Sequence, residues 1–544
     1  MLKRLKRNIN IFSVISVAAA LLIVLPMLNI LIEILSPASD AWKHIRTNLL
    51  NDYITNTLVM IGFVAVFSAL VGLYSAYIIT RYEFKGRKLL SWVLILPLAM
   101  PSYIAAYVYA DMVSYTGTLS RLFRMMNLPF RLNIMNMPGA IFIFVLTLFP
   151  YVYMMVRSSL SKQSASFSEN ARLLGANKIR IFFKVILPLL RPALVAGTLL
   201  VVLETLNDYG VVAYFNVRVF SFAIFNAWFS LGDTVAAIRL SAVLMVLVFV
   251  IIVAERMLRG KRRYTIHVKG RPVNRVPLKG WQKVVFPGLL WLIMAFAFFI
   301  PLLQLIYYAT LTFTDVFGLQ FIYLIINSLT LAISATLITV FVALMLANYN
   351  RGVKNPFKKG LLKVTNLGYA IPGAVIAIAV MIFIQDIDRL LYPVYQIFNP
   401  NTGRLVISST LFMLTFAFVL RFMAIGYNSI EASYDKVGEK FTEASYALRA
   451  GKLRTLLTVD LPLIKHGLIS ASIIVFIDVI KELPLTLILR PTNYNTLASE
   501  VFRYAREEML QESAVPALVL ISVGSLAIYF LTHYKKKGVP INVR

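Results

Sequence analysis

Four carboxylates stand where carboxylates are costly. The stretch "VVLETLNDYGVVAYF" (201–215) carries Glu204 and Asp208, and "FIDVIKELPLTLIL" (476–489) carries Asp478 and Glu482, each pair inside an otherwise apolar run. A spacing of four puts both members of a pair on one face of a helix, so two acidic helix faces are expected. A charge at the centre of a bilayer costs about 2.5–3.5 kcal/mol, so four facing lipid would cost on the order of 10 kcal/mol. They must face a protein interior, lie near the interface or carry protons. Carboxylate oxygens suit hard cations and solutes rich in hydrogen-bond donors. Tyr209 and Tyr214 could add phenolic oxygens. The competing expectation is internal neutralisation. Lys481 adjoins Glu482 and lies three residues from Asp478, and Arg490 follows, whereas the first pair has no basic residue inside its own segment.

Other chemistries find little support. The chain has no cysteine, which excludes disulfides, thiolate metal sites and a cysteine nucleophile, and His44, His267, His466 and His533 are scattered without metal-ligand spacing. A phosphate-cradling G-x-x-x-x-G-K-[ST] loop is missing: "RGKR" and "AGKL" lack the upstream glycine and the following hydroxyl. With no nucleophile elbow or Ser/His/Asp arrangement either, an enzyme is not expected, no cofactor is implied, and any ATPase must be a separate subunit.

The elements that must position the acids are membrane helices. Of the 544 residues 59% are hydrophobic, against about 45–50% in soluble chains. A span needs roughly 20 apolar residues, and twelve such runs are legible: 9–35, 54–80, 91–114, 138–160, 185–212, 235–257, 284–310, 324–348, 362–384, 405–428, 462–489 and 514–534. The first runs on past the length of a signal-peptide core and reads as an uncleaved anchor. Of 54 Lys and Arg, 40 fall on one set of alternate loops (residues 421–465 among them) and 11 on the other. The excess marks the cytoplasmic side and puts both termini there. The net charge of +30 is thus an orientation signal and implies no nucleic-acid partner.

Two halves repeat. "NTLVMIGFVAVFSALVGLYSAY" from Asn56 resembles "NSLTLAISATLITVFVALMLAN" from Asn327, an offset of 271 that also relates Pro101 to Pro372. At an offset of 274, Glu169 meets Glu443, Pro188 meets Pro462, Glu204 meets Asp478 and Asp208 meets Glu482. Six spans per half make the repeat parallel, about an axis along the membrane normal. The expected fold is an all-α polytopic membrane protein of about twelve transmembrane helices in two parallel six-helix repeats. Its parts are an N-terminal anchor helix and outer loop (1–53), a first transmembrane domain (54–257), a basic cytoplasmic linker (258–283), the first helix of the second half (284–323), a second transmembrane domain (324–534) and a cytoplasmic tail (535–544).

Each half also carries a polar, helix-prone insert on the basic side: "SENARLLGANKIRIFFKVILPLL" (168–190) and "TEASYALRAGKLRTLLTVDLPLI" (442–464). Ser168 and Thr442 are candidate N-caps, Ser166 with Glu169 has capping-box spacing, and apolar residues recur at near-helical intervals. One such helix could simply lie in the membrane interface. Two at symmetric positions suggest docking elements for a two-fold partner.

These inserts resemble the EAA loop of type I ABC importer permeases. The resemblance rests on Glu169-Asn-Ala, Gly175 six residues on and Leu187-Pro188, repeated as Glu443-Ala-Ser and Leu461-Pro462. It implies that both loops form short helices seated on two copies of a cytoplasmic ABC ATPase. The coupling role passes to Glu169, Ala171, Gly175 and Pro188, and to Glu443, Ala444, Gly451 and Pro462. The second copy departs from the pattern, with Arg449 at the glycine position and Gly451 two residues later. The resemblance further implies a type I ABC importer fold, a multi-pass place in a bacterial inner membrane and an extracytoplasmic solute-binding protein. "KELPLTLILRPTNYNTLASEVF" (481–502) and "FNAWFSLGDTVAA" (225–237) within one fused chain look most like ferric-iron importer permeases. Related permeases for thiamine, polyamines or phosphonates are the alternatives, and the acids suit a phosphonate poorly. A secondary transporter would leave the duplicated loops without a purpose.

Overall fold

Within lipid every backbone N–H and C=O must be satisfied inside the protein, so apolar runs of this length become helices. The computed structural model describes residues 11–34, 37–127, 132–162, 166–259, 275–350, 368 and 371–534. In the first half the elements used below are α1 (Ile11–Glu33), α2 (Leu50–Arg81), α3 (Ser102–Val113), α4 (Met137–Lys162), α5 (Ser166–Leu173), α6 (Lys178–Asn207), α7 (Gly210–Tyr214) and α8 (Thr234–Arg259). In the second they are α9 (Gln282–Val316), α10 (Leu319–Asn350), α11 (Gly373–Phe398), α12 (Leu411–Val437), α13 (Lys440–Ala447), α14 (Lys452–Ile480), α15 (Pro484–Leu489) and α16 (Ala514–Tyr534).

The two halves are built alike. In the first, α2, α4 and α6 pack mutually, and α10, α12 and α14 repeat that core in the second. Small residues permit the close approach: a Cβ on Gly72 of α2 would stand 2.6 Å from Val152 of α4. Each half's first helix lies against the other half. Thus α1 packs on α10 and α11, and Asn29 donates to Asp386 at 3.0 Å. Likewise α9, which packs on α16 of its own half, also lies against α3 of the first half, where Tyr109 donates to the Phe296 carbonyl. The halves are therefore interleaved rather than merely abutted.

Nine described helices are long and apolar enough to cross a membrane, ten if one bent pair counts as a single span. The expected twelve differ from this for local reasons. The expected span 91–114 is broken: the helices Arg87–Ala99 and Ser102–Met125 meet at 89°. Pro101 has no N–H to offer and forces Met100 into extended backbone (φ −96°, ψ 113°). Much of the expected span 362–384 lies outside the described residues, and α11 begins only after Pro372. Over the expected first span α1 is one apolar helix of 23 residues, Ile11–Glu33, whose fully described part is Val14–Ile30. Expected spans 185–212 and 462–489 each break near their ends, and those breaks hold the acids.

Candidate functional site at the seam between the halves

The expectation of acidic faces on continuous helices is overturned. Helix α6 ends at Asn207, and Asp208 turns to extended backbone (ψ 125°). Its Oδ1 then accepts from the Val211 N–H at 2.8 Å, capping α7. In the second half α14 ends at Ile480, and the Leu485 N–H donates to Glu482 Oε1 at 3.4 Å at the head of α15. Asp208 and Glu482, and Val211 and Leu485, are each separated by 274 residues. Each acid pair thus straddles a helix break, one member on the long helix and one at the start of a short one. Gly210 and Pro484 explain the breaks. A Cβ at Gly210 would lie 2.5 Å from Tyr103 Cβ, and Pro484 takes the first turn of its helix, where its missing N–H costs nothing.

Around the breaks a charged cluster closes the seam. Lys481 Nζ lies 3.0 Å from Asp478 Oδ1, and Arg421 Nη1 lies 3.5 Å from Glu482 Oε1. Internal neutralisation therefore describes the second-half acids. Arg421 sits mid-way along α12 and is 3% exposed. The sequence tally grouped it with the cytoplasmic cations; it belongs inside the protein. It is anchored across the seam: Asn207 Oδ1 of the first half accepts from Arg421 Nη1 at 2.5 Å and from the Gly373 N–H, at the start of α11, at 2.6 Å. Gly373 permits this approach: a Cβ there would stand 2.2 Å from Arg421 Nη1, so the guanidinium would have to shift.

On the first-half side a small cleft opens, lined by Tyr103, Glu204, Asp208, Tyr209, Lys481 and Glu482 among others. Of the tyrosines weighed from sequence, Tyr209 lines the cleft while stacked on Phe225, and Tyr214 packs instead against Tyr107. The buried Tyr103 hydroxyl has no hydrogen-bond partner. Four carboxylates against two cations leave a formal excess of two negative charges. Among the described residues no three His, Cys, Asp or Glu side chains converge as a metal centre. Sequence reasoning missed Asn207, Gly373, Arg421 and Tyr103. Asn207 adjoins Asp208, and Tyr103 and Gly373 closely follow the repeated prolines Pro101 and Pro372, whereas Arg421 stood near no flagged residue.

The two inserts lie away from this seam. In the first, Glu169 is on the exposed face of α5, with Leu173, Leu174 and Ile179 also exposed. In the second, Glu443 lies in the first turn of α13, with Leu448, Leu453 and Leu457 exposed. Pro188 and Pro462 sit in the first turn of the straight part of α6 and α14, after one π-helical turn. Ala171 and Ala444 lie on the short helices, Ala171 half-buried and Ala444 exposed. As the sequence spacing has it, Arg449 (φ +59°) stands where Gly175 (φ +77°) does, and Gly451 takes the N-cap position of the next helix, where the first half has Asn177. The helix ends agree bond for bond. Ala176 N–H donates to Ala171 C=O, and Ala450 N–H to Ser445 C=O, at 3.0 and 3.1 Å. One detail differs from expectation: Thr442 is not an N-cap but is buried within α13, where it donates to Asp460 at 2.8 Å. The side chains of Ser166 and Ser168 lie outside the described residues.

Comparison with known proteins gives this architecture a family. Residues 68–263 and 339–539 match the family described as binding-protein-dependent transport system inner membrane component. The chain belongs to that family. The match occurs twice, as the repeat requires, and a chain of this family is a transport component rather than an enzyme. Among its relatives is the Fe(3+)-transport system permease protein FbpB 2 of Haemophilus influenzae, 25% identical over 89% of this chain and 90% of the relative. The spermidine/putrescine transport system permease protein PotB of the same organism is 31% identical over 40% of this chain and 80% of the relative. The sulfate transport system permease protein CysT of Salmonella typhimurium is 28% identical over 36% of this chain and 69% of the relative. The all-helical, two-repeat membrane fold expected from sequence is the fold found.

Proposed function

We propose that this inner membrane component carries ferric iron inward, as the fused two-half permease of an ABC importer. The observation that carries the reading is the end-to-end similarity to an Fe(3+) permease, whereas the sulfate and polyamine relatives match well under half of the chain. The cleft agrees with it. A net excess of carboxylates with a phenol beside them suits a hard cation and repels an oxyanion. Polyamine and thiamine, also cationic, remain the alternatives, and phosphonate fits poorly.

In this reading α5 and α13 are handles for two copies of a cytoplasmic ATPase. Each presents an acid in the first turn, and exposed leucines that water alone would not favour stand at or just past its end, Leu173 and Leu174 in the first insert and Leu448 in the second. Both termini and the linker 258–283 face the cytoplasm, and a solute-binding protein delivers cargo to the other side. Cells lacking the chain are expected to lose uptake of radiolabelled ferric iron, with no competition from excess sulfate, spermidine or thiamine. Retained iron uptake in such cells, or competition by one of those solutes, contradicts the assignment.

A further inference from the structure

A line of phenols leads outward from the seam along one helix. Tyr103, Tyr107 and Asp111 follow one another at intervals of four on α3, so they share a side of it. Tyr103 belongs to the acid-lined cleft with Asp208. One turn further out, Tyr107 lines a second small cavity with Val108, Asp111, Tyr308 and Ser513, bounded by α3, by α9 and by the loop that precedes α16. The two rings stand 5.8 Å apart, centroid to centroid, one on each cavity. Asp111, half-buried at the outer end, accepts from the Tyr308 hydroxyl of α9.

Neither the Tyr103 nor the Tyr107 hydroxyl finds a hydrogen-bond partner among the described residues, although the two side chains are only 3% and 2% exposed. A buried serine or threonine on a helix can turn its hydroxyl to a carbonyl one turn back. A phenol oxygen stands too far from its own backbone for that, so packing alone does not explain either one. Phenylalanine would fill the same space without the penalty of an unpaired oxygen. The second half carries no such line. Helix α11 begins directly after Pro372 as α3 does after Pro101, and at the offset of 271 Tyr103, Tyr107 and Asp111 fall on Ala374, Ile378 and Ile382. The repeated helix is thus built without the phenols, and the same stripe is apolar.

We propose that cargo reaches the acidic seam from the extracytoplasmic side along α3 alone, passing Asp111 and then the Tyr107 and Tyr103 hydroxyls, while the apolar stripe of α11 takes no part. The proposal rests on the reading of the cargo as a hard cation and deepens it, since phenol and carboxylate oxygens are ligands such a cation prefers. In this structure the route is shut, with both phenols buried and Tyr308 closed on Asp111. It opens when α3 and α9 part.

Cysteine accessibility tests the route without reference to the cargo. In this cysteine-free chain, Val108→Cys puts a thiol in the outer cavity and Ala379→Cys puts one at the matching point of α11; both residues are buried, at 4% and 0% exposed. The full transporter, with its ATPase and binding protein in lipid nanodiscs, is treated with a small cationic thiosulfonate. Val108→Cys is expected to be labelled at least tenfold faster during ATP hydrolysis than at rest, and Ala379→Cys in neither condition. Labelling of Val108→Cys that ATP does not hasten, or that Ala379→Cys matches, overturns the proposal. If either cysteine variant fails to accumulate, the double variant Tyr103→Phe/Tyr107→Phe decides, read as uptake of radiolabelled ferric iron. It removes two unpaired oxygens and nothing else, so its melting temperature should not fall while uptake drops at least tenfold. Unchanged uptake or a lowered melting temperature overturns the proposal. The iron reading fails separately: a wild-type transporter that imports no ferric iron yet shows ATP-dependent labelling at Val108→Cys keeps the route and loses the iron.

Discussion

At the scale of single residues, the seam rests on one amide. Asn207 Oδ1 accepts from both Gly373 N–H and Arg421 Nη1, so its orientation is set by two donors. Gly373→Ala would push a methyl to 2.2 Å from Arg421. We expect it to lower thermal stability by about 1–3 kcal/mol, the usual range for overpacking; an unchanged melting temperature contradicts the contact. The acids should separate by role. Glu482→Gln strands Arg421 in the interior, a loss of about 3–5 kcal/mol, and should first reduce membrane abundance. Asp208→Asn keeps its cap and should leave abundance near normal. Equal abundance of the two variants would show that Arg421 does not depend on Glu482. The acids were legible because a charge within an apolar run is a local signal. Their partners were not, since Arg421 and Asn207 stand 214 positions apart and only folding brings them together.

At the scale of elements, the helix breaks were the hidden feature. Hydropathy carries straight through Asp208 and Glu482, and the i,i+4 spacing suggested unbroken helices. Gly210 and Pro484 were the available signals, and each acts through its own local chemistry. The proposed coupling loops show how one shape survives two sequences. Arg449 adopts the left-handed backbone that Gly175 takes freely, at a cost of about 1–2 kcal/mol. The second loop carries buried Thr442–Asp460 and Ser445–Thr455 hydrogen bonds, where the first has Ala171 and Ile181 at the counterparts of Ser445 and Thr455. Arg449→Gly should therefore be tolerated or stabilising, and Gly175→Arg should cost abundance or coupling. The reverse order, read from uptake and membrane level, contradicts this account. Glu169→Lys and Glu443→Lys should each uncouple uptake from ATP hydrolysis without loss of insertion. Full uptake in both would leave the loops without the proposed role. On the opposite side, Asp388 fastens loop 399–410 to α11 through bonds from Ile407 and Ser408, and Tyr395 of α11 itself donates to the same carboxylate. Burial pulls its carboxyl upward, yet those donors hold it below the usual carboxylate range. A depressed pKa means that this anchoring is present above the unfolded value of about 3.9 and is lost only as pH falls below it.

At the scale of the whole molecule, duplication was readable because both halves keep their spacing, and the interleaving of α1 and α9 was not, because no sequence pattern says which half a first helix joins. Orientation is open to a direct check. Lys279 and Leu390 are both exposed and lie on opposite sides in the proposed topology. In this cysteine-free chain, Leu390→Cys should react with an impermeant reagent on intact cells and Lys279→Cys should not; the opposite pattern inverts the permease. The central claim is that cargo crosses at the acidic seam. It is tested most directly by radiolabelled ferric iron entering vesicles that hold the chain together with its ATPase and iron-loaded binding protein. Wild type should import iron only with ATP and binding protein, and Asp208→Asn, at equal membrane level, should import at least tenfold less. Equal import by the two chains would contradict the account.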